Sequence, residues 1–444
     1  MDSRAAQAAT ILAGAPLLIW PALYNAYPIL FSDTGGLLDM GLLPSIGWDK
    51  PFVYGPIIAA LSLRLTLWLP VLAQGGLLSY ALWTLQSGLA TPTPIRHLAL
   101  CAALAATTAA PWFAATLMPD ALTPIAAISL IAAASPLARH RPTSTIIAAI
   151  AIAAHLSHLI LAAALIAALI LLNRRIPWRP IASLAAALLF LFASNWIGHG
   201  RPSISPYGSV FALARLIADG PARTYLAHAC PAAGYILCPW RDRLTDDSDQ
   251  FLWDPNSPFW ADPTPLPQFA AEAAQIVRAT ILHDPAAALR HAYRNTVTEL
   301  TRTDLGDTIV PDYLADAVRP RIIHWFPEAE RQRFDQSRQL QGTLAPSAAR
   351  LLPLDRAVLA LSALACTLIL LRGLRTRTSR ADLAALLLIA LAANAFSTGA
   401  LSAIHDRYQA RLAWLIVLPL LLRFPRAQTD NADTSAGAIR TSAS

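Results

Sequence analysis

Four short stretches, set between long apolar runs, carry side chains able to do chemistry. Asp33 lies in YPILFSDTGG, Asp120 in TLMPDALTP, His155 and His158 in HLSH, and Arg407, Tyr408 and Arg411 in HDRYQAR. Only 14% of the residues are charged, and ionisable groups at membrane depth are costly enough to suggest a site. A carboxylate can take a proton from a nucleophile, and two guanidiniums four apart with a phenol beside them can grip a phosphate. Two histidines three apart share a helix face; a metal pair, a phosphate-binding pair and a plain interfacial pair all fit that spacing. Each acid also has a structural reading. Asp33 can end a helix in water, and Asp120 can cap the helix that PDALTP opens. Arg407 and Arg411 can anchor a helix end, although the external side is where Arg is least expected.

The elements that position these residues follow from the hydropathy. The chain has 444 residues, 55% of them hydrophobic, which is the composition of a polytopic membrane protein. The runs are continuously apolar, so helices are the spanning element. Taking the amino terminus as cytoplasmic, ten crossings are expected, at 9–31, 65–87, 98–117, 120–136, 143–156, 158–173, 180–198, 351–371, 381–403 and 409–424. The internal loops then carry Arg96, Arg139 and Arg141, Arg174, Arg175 and Arg179, Arg372, Arg375, Arg377 and Arg380, with Arg423 and Arg426 after the last crossing. Dense Arg on one side is the topology signal, and it accounts for the net charge of +7 without nucleic acid. The amino-terminal apolar run reaches Phe31 and no convincing A-x-A cleavage site follows it, so it is expected to stay as the first helix. Residues 52–63 are expected as a re-entrant or juxtamembrane helix, and HLSH as the turn of a short helix pair over 143–173. Trp48, Trp112, Trp196 and Trp414 read as membrane-belt residues.

Between 199 and 350 Pro, Asp, Arg, Trp and Tyr replace the apolar runs, which predicts a mainly helical external domain inserted after the seventh crossing. Amphipathic helices are expected at 207–220, 267–281 and 284–300. Cys230 and Cys238, in CPAAGYILC, would close a disulfide in an oxidising periplasm; no CxxC metal spacing is present. Cys101 and Cys366 fall within apolar runs as packers. Residues 427–444 read as a disordered cytoplasmic tail.

The acid after the first helix, the motif MPDALTPIAAISL and the pair AIAIAAHLSHLILAAALIAALI together resemble the amino-terminal module of the GT-C glycosyltransferases. The likeness is to the branch that includes the protein mannosyltransferases, the aminoarabinose transferase and the Rgt-type sugar transferases. It covers 1–198 as architecture, leaving 199–350 as the periplasmic domain and 351–426 as carboxy-terminal transmembrane helices. It implies a multi-pass protein of the bacterial inner membrane that moves a sugar from a polyprenyl-phosphate donor to a lipid or glycan acceptor of the envelope, with inversion. Asp33 would be the general base and Asp120 the second acid, while His155, His158, Arg407, Tyr408 and Arg411 would hold the donor phosphate. Relatives carry a D-E-x-x-Y-like first loop where this chain has DTGGLL, so Asp39 and Asp49 stand as alternatives to Asp33. No metal is required when Arg neutralises the leaving phosphate; were Mg2+ or Mn2+ used, the carboxylates would be its ligands. The rival readings are a transporter or flippase for lipid-linked saccharides and a non-catalytic assembly protein. No internal repeat supports the first of these.

Overall fold

The computed structural model describes residues 3–424 apart from 44, 90, 91, 137, 139 and 377. Arg139, Arg377, Arg426 and the tail at 427–444 lie outside the described residues. Among the described residues the regular elements are helices, joined by one isolated bridge between Ile29 and Thr116. Three helices among the described residues are long and apolar enough to cross a membrane: Trp178–His199, Leu352–Gly373 and Ser379–Ala400.

That is fewer than the ten crossings expected, and the reason is local. The run at 9–31 divides into Ser3–Leu18 and Trp20–Asn25. Pro21 has no N–H to continue the first helix, and Ala26, in the left-handed region at φ 63°, ends the second. The run at 98–117 divides into Pro94–Thr107 and Ala110–Ala115, with Thr108 extended between them and Pro111 opening the second piece. The last run becomes Asp406–Ala413, a 3-10 turn at Trp414–Val417, and Leu418–Leu421. Pro119–Ala134, Arg141–Ala153 and Ser157–Asn173 are apolar but only 10–17 residues long, short of the ~20 that a perpendicular span needs. Trp68–Leu89 has 22 residues but is interrupted by Gln74, Ser79, Thr84 and Gln86. The juxtamembrane helix expected at 52–63 forms as Tyr54–Ser62.

The breaks bring distant turns together. Past Ala26 the chain extends, and Ile29 exchanges backbone bonds with the strand-like end of Ala110–Ala115: its N–H donates to Ala115 O at 3.0 Å and its carbonyl accepts from Leu117 N at 2.9 Å. Thr34 then donates its hydroxyl to Leu117 O at 3.0 Å and accepts Phe31 N–H at 3.0 Å. The turn of Asp33 is thereby fixed against the segment that leads to Asp120. Gly35 is needed beside it, because a Cβ there would collide with the carbonyl of Ala317.

The insert at 199–350 packs as two parts. Helices Gly208–Asp219 and Leu266–His283 enclose their own core around Phe251, Phe259 and Phe269. The Cys230–Cys238 disulfide closes the loop beside it, with Cα atoms 5.4 Å apart. Leu305, Ile309, Leu314, Val318, Ile322, Phe334 and Leu344 instead join the core of the apolar helices. Two polar clamps seat this second part. Glu330, 1% exposed, accepts Tyr27 Oη at 2.9 Å and Leu67 N at 2.7 Å, and Gln339 brackets the Leu30 peptide from both sides. Trp48 is no belt residue: it stacks on Phe211 at 5.5 Å and meets Trp253, Phe259 and Trp260 of the insert.

Candidate functional site

Arg411 and Asp120 meet in the interior. Arg411 is 0% exposed and Asp120 4%, and Nη1 donates to Oδ1 across 3.0 Å. Nη2 donates to Ser157 Oγ at 2.9 Å and to Asn394 Oδ1 at 3.2 Å. One guanidinium thus ties together the turn Pro119–Ala121, the start of Ser157–Asn173 and the last turn of Ser379–Ala395. Asn394 reaches it just before the π-helical turn Phe396–Ala400, and is itself fixed by donating to Tyr408 O at 2.7 Å and Gln409 Oε1 at 2.8 Å. Asp120 makes no N-cap bond to the helix it precedes; its charge is spent on Arg411. Three of the guanidinium's contacts fix its place, while Arg411 Nε is left without a partner among the described residues, and both groups of this pair are withdrawn from solvent.

The histidines sit against this pair. His158 is 0% exposed, and both of its ring nitrogens are engaged, Nδ1 with Ala151 O at 2.7 Å and Nε2 with Thr123 Oγ1 at 2.7 Å. His155 Nδ1 accepts Ser157 N–H at 3.2 Å and meets Ser157 Oγ at 2.7 Å. A nitrogen that accepts a backbone N–H carries no proton, so His155 is a neutral Nε2–H tautomer. The two rings lie 5.2 Å apart. The path Asp120–Arg411–Ser157–His155 is continuous.

Asp33 occupies a more open place, in the first turn of Ser32–Leu42, where the helix dipole favours an acid. Its Oδ1 lies 3.3 Å from Lys50 Nζ, and Asp49 shares the same ammonium. The Asp33 side chain is 31% exposed against 5% for Asp120. Burial works against the Lys50 charge, but Asp33 and then Asp49 outweigh it and hold the ammonium above its ordinary pKa. Asp39 goes elsewhere, to Arg321 at 2.9 Å. Arg407 lies with its guanidinium 4.2 Å from the centre of the Phe31 ring and donates to Tyr408 Oη at 3.2 Å. Tyr408 stands within electrostatic range of both Asp33 and Asp120, so the open and closed carboxylates border one region.

The insert roofs it. The short helix Ser248–Trp253 presents two residues four apart. Trp253 lies over the Lys50 ammonium at 5.7 Å, and Asp249 pairs with His405 Nε2 at 2.9 Å. Burial would raise the Asp249 carboxyl, but the His405 contact, with Arg407 behind it, pulls it below the usual carboxylate range. Beneath the roof, a crevice between Asp49, Lys50, Leu156 and Asn195 opens to the outside.

The side chains of Asp33, Asp120, His155, Arg407, Tyr408 and Arg411 therefore gather at one end of the helices, with His158 behind them. Sequence reasoning missed Lys50, and it named neither Asp249 nor Trp253 singly within the Asp-, Arg- and Trp-dense stretch at 230–255 where acceptor contacts are expected. For Lys50 a signal existed: it is the only lysine among 34 Lys and Arg residues. Nothing marked Asp249 or Trp253 beyond an acid- and Trp-rich stretch. Among the described residues no three His, Cys, Asp or Glu side chains come together as a metal set; Asp33 and Asp49 already share a cation in Lys50. Chemically, the region offers one accessible carboxylate paired with Lys50, a second cation in Arg407 and a phenol, under an aromatic cover. No family model, curated protein or solved structure matches this chain.

Proposed function

We propose that the protein is a multi-pass membrane glycosyltransferase that moves a sugar from a polyprenyl-phosphate donor to an envelope acceptor on the periplasmic face. In this reading the ten apolar segments all traverse or enter the bilayer, the breaks being absorbed within the bundle, and the turns at Asp33, Asp120, His155 and His405 share the external face. The observation that carries it is the unequal pair of carboxylates: Asp33 remains accessible beside Lys50, with Arg407 on the Phe31 ring two residues before it, while Asp120 is consumed in holding Arg411.

The chemistry follows from that geometry. The acceptor hydroxyl oxygen attacks the anomeric carbon from the face opposite the phosphate, its proton passes to Asp33, and the bond from C1 to the phosphate oxygen breaks. General-base assistance of this kind contributes ~10²–10⁴-fold. The departing polyprenyl phosphate carries the electron pair, and Lys50 and Arg407 stabilise it. Arg411 keeps Asp120, Ser157 and His155 in register beneath the donor, as a positioning residue. The polyprenyl chain stays in lipid, so only the headgroup must enter the cluster.

The test uses the protein in lipid nanodiscs with a panel of radiolabelled polyprenyl-phosphate sugars and envelope extracts as acceptors. Wild type transfers label from one donor, and Asp33→Asn transfers at least ~10²-fold more slowly with unchanged thermal unfolding. An Asp33→Asn variant as active as wild type would remove the base assignment. Absence of transfer from every donor would sink the enzyme reading and leave transport or assembly of lipid-linked saccharides.

A further inference from the structure

The helix Pro285–Leu300 has two faces of opposite character. Its buried side carries Asn295 and Glu299, and rests on Gly399, where a Cβ would run into the Asn295 carbonyl. It therefore lies directly across the π-helical end of the apolar helix Ser379–Ala400. Asn295 donates to Asp219 at 2.8 Å and Glu299 accepts His405 N–H at 3.0 Å, so the helix cannot turn to bury its other side. That other side is apolar and bare: Leu282 at the end of the preceding helix is 71% exposed, Leu289 72%, Tyr293 71%, Val297 44% and Leu300 41%. The spacing of four, four and three keeps Leu289, Tyr293, Val297 and Leu300 on one stripe. Arg278, Arg290 and Arg294, all exposed, flank it.

In water such a stripe is a standing cost, and a large exposed apolar surface marks a contact. Its location says which contact. Ile389, Phe396 and Leu401, on and just past the apolar helix that it crosses, are also exposed, at 38%, 42% and 46%, so the stripe continues the apolar flank of a segment fit to sit in lipid. An apolar stripe bordered by Arg, with a Tyr on it, is the pattern of a helix lying in a bilayer interface, where the phenol sits at headgroup level and Arg pairs with phosphate. We propose that Pro285–Leu300 lies in the external leaflet of the same bilayer, with Leu289, Tyr293 and Val297 among the acyl chains and Arg290 and Arg294 on lipid phosphates. Because Glu299 on this helix holds His405 N, two residues before Arg407, the lipid surface would also set the height of the cluster that contains Arg407.

The experiment needs no transfer assay, so it stands apart from the enzymatic reading. A bimane probe is placed at Leu289→Cys, Tyr293→Cys or Val297→Cys in the full chain, with Asp246→Cys on the exposed part of the insert as a solvent control; the native free cysteines, Cys101 and Cys366, are buried. The labelled proteins are reconstituted in vesicles of phosphatidylcholine and phosphatidylglycerol. Lipids spin-labelled at a shallow acyl carbon are expected to quench the three stripe probes several-fold more than the Asp246 probe, and aqueous iodide to show the reverse order. In Arg290→Glu/Arg294→Glu the stripe probes become more accessible to iodide. Stripe probes that iodide reaches as well as it reaches the Asp246 probe, in at least two of the three variants with wild-type unfolding temperatures, would overturn the proposal and leave the stripe to a protein partner.

Discussion

Asp33 and Asp120 are carboxylates of the same kind, each at the mouth of a helix and each beside a cation, yet they differ in what remains to be satisfied. Around Asp120, Arg411 is 0% exposed and bonded to three separate elements. Around Asp33, Lys50 divides itself between two acids, and nearly a third of the Asp33 side chain stays open. A buried pair tied to three elements acts as architecture, because the guanidinium that holds the carboxylate is itself fixed by Ser157 and Asn394. A pair that keeps exposed surface can react. Residue type alone does not separate the two cases.

The sharpest way to break this contrast is to remove Arg411. Arg411→Leu leaves Asp120 buried without its cation, and breaking a buried pair costs about 3–5 kcal/mol. The variant is expected to unfold at a markedly lower temperature in detergent, with all functions lost together. Asp120→Leu/Arg411→Met, which removes both charges, should recover most of that stability. An Arg411→Leu protein with wild-type unfolding and only a kinetic defect would move Arg411 into the reacting groups and erase the distinction.

Next in size is the opposite pattern at Lys50. Lys50→Met should lower the unfolding temperature less than Arg411→Leu does, because the Lys50 and Asp33 side chains keep 21% and 31% of their surface, although Asp33 and Asp49 lose their shared cation. Transfer should drop ~10²–10³-fold if the ammonium stabilises the leaving phosphate. Lys50→Arg is expected to recover only part of the rate, since a planar fork does not replace a compact ammonium between two acids. Measured together, unfolding and rate should move in parallel at Arg411, while at Lys50 the rate should fall by more than the loss of stability accounts for.

Much of this contrast was hidden in the sequence, for identifiable reasons. That the chain is helical, with apolar segments in these places, follows from hydropathy, and the eight-residue separation of Cys230 and Cys238 was enough to suggest their bond. Helix continuity was not legible. An apolar run through Trp20 or Thr108 looks unbroken, although Pro21 and Pro111 were in view and mark where the helices restart. The partnership of Asp120 with Arg411 spans 291 positions, and no local pattern reports it. Arg411 consequently reads from sequence as a phosphate ligand, whereas its donors go to Asp120, Ser157 and Asn394. The second half of the insert was missed as part of the main core because its contributions, such as Val318, Ile322 and Phe334, come from short helices with little periodicity.

A third carboxylate of the region sharpens the contrast by titration, through a slope with pH rather than through the loss of a partner. Glu299 is 0% exposed. Burial pushes its carboxyl up to about 8; the His405 N–H and Arg411 pull it down and Asp406 reinforces the rise. Unfolded, the group ionises near its ordinary value of 4.5. Because the folded value is the higher one, the native state holds a proton that the unfolded chain has released. The stability from this group is therefore complete below about 4.5 and is lost as pH rises through about 8, at ~1.4 kcal/mol per pH unit within that window. Glu299→Gln, which cannot ionise, should unfold at a temperature that varies less with pH than that of wild type, most clearly between about pH 5 and 8. The His405 N–H keeps an acceptor in that variant, so a low stability at every pH is not expected. Equal slopes for the two proteins would mean that Glu299 is ionised in the folded state and that burial alone does not decide which acids here stay neutral. A flat Glu299→Gln profile beside a sloping wild type would leave the region with three acids in three states: Asp33 open, Asp120 paired and Glu299 protonated.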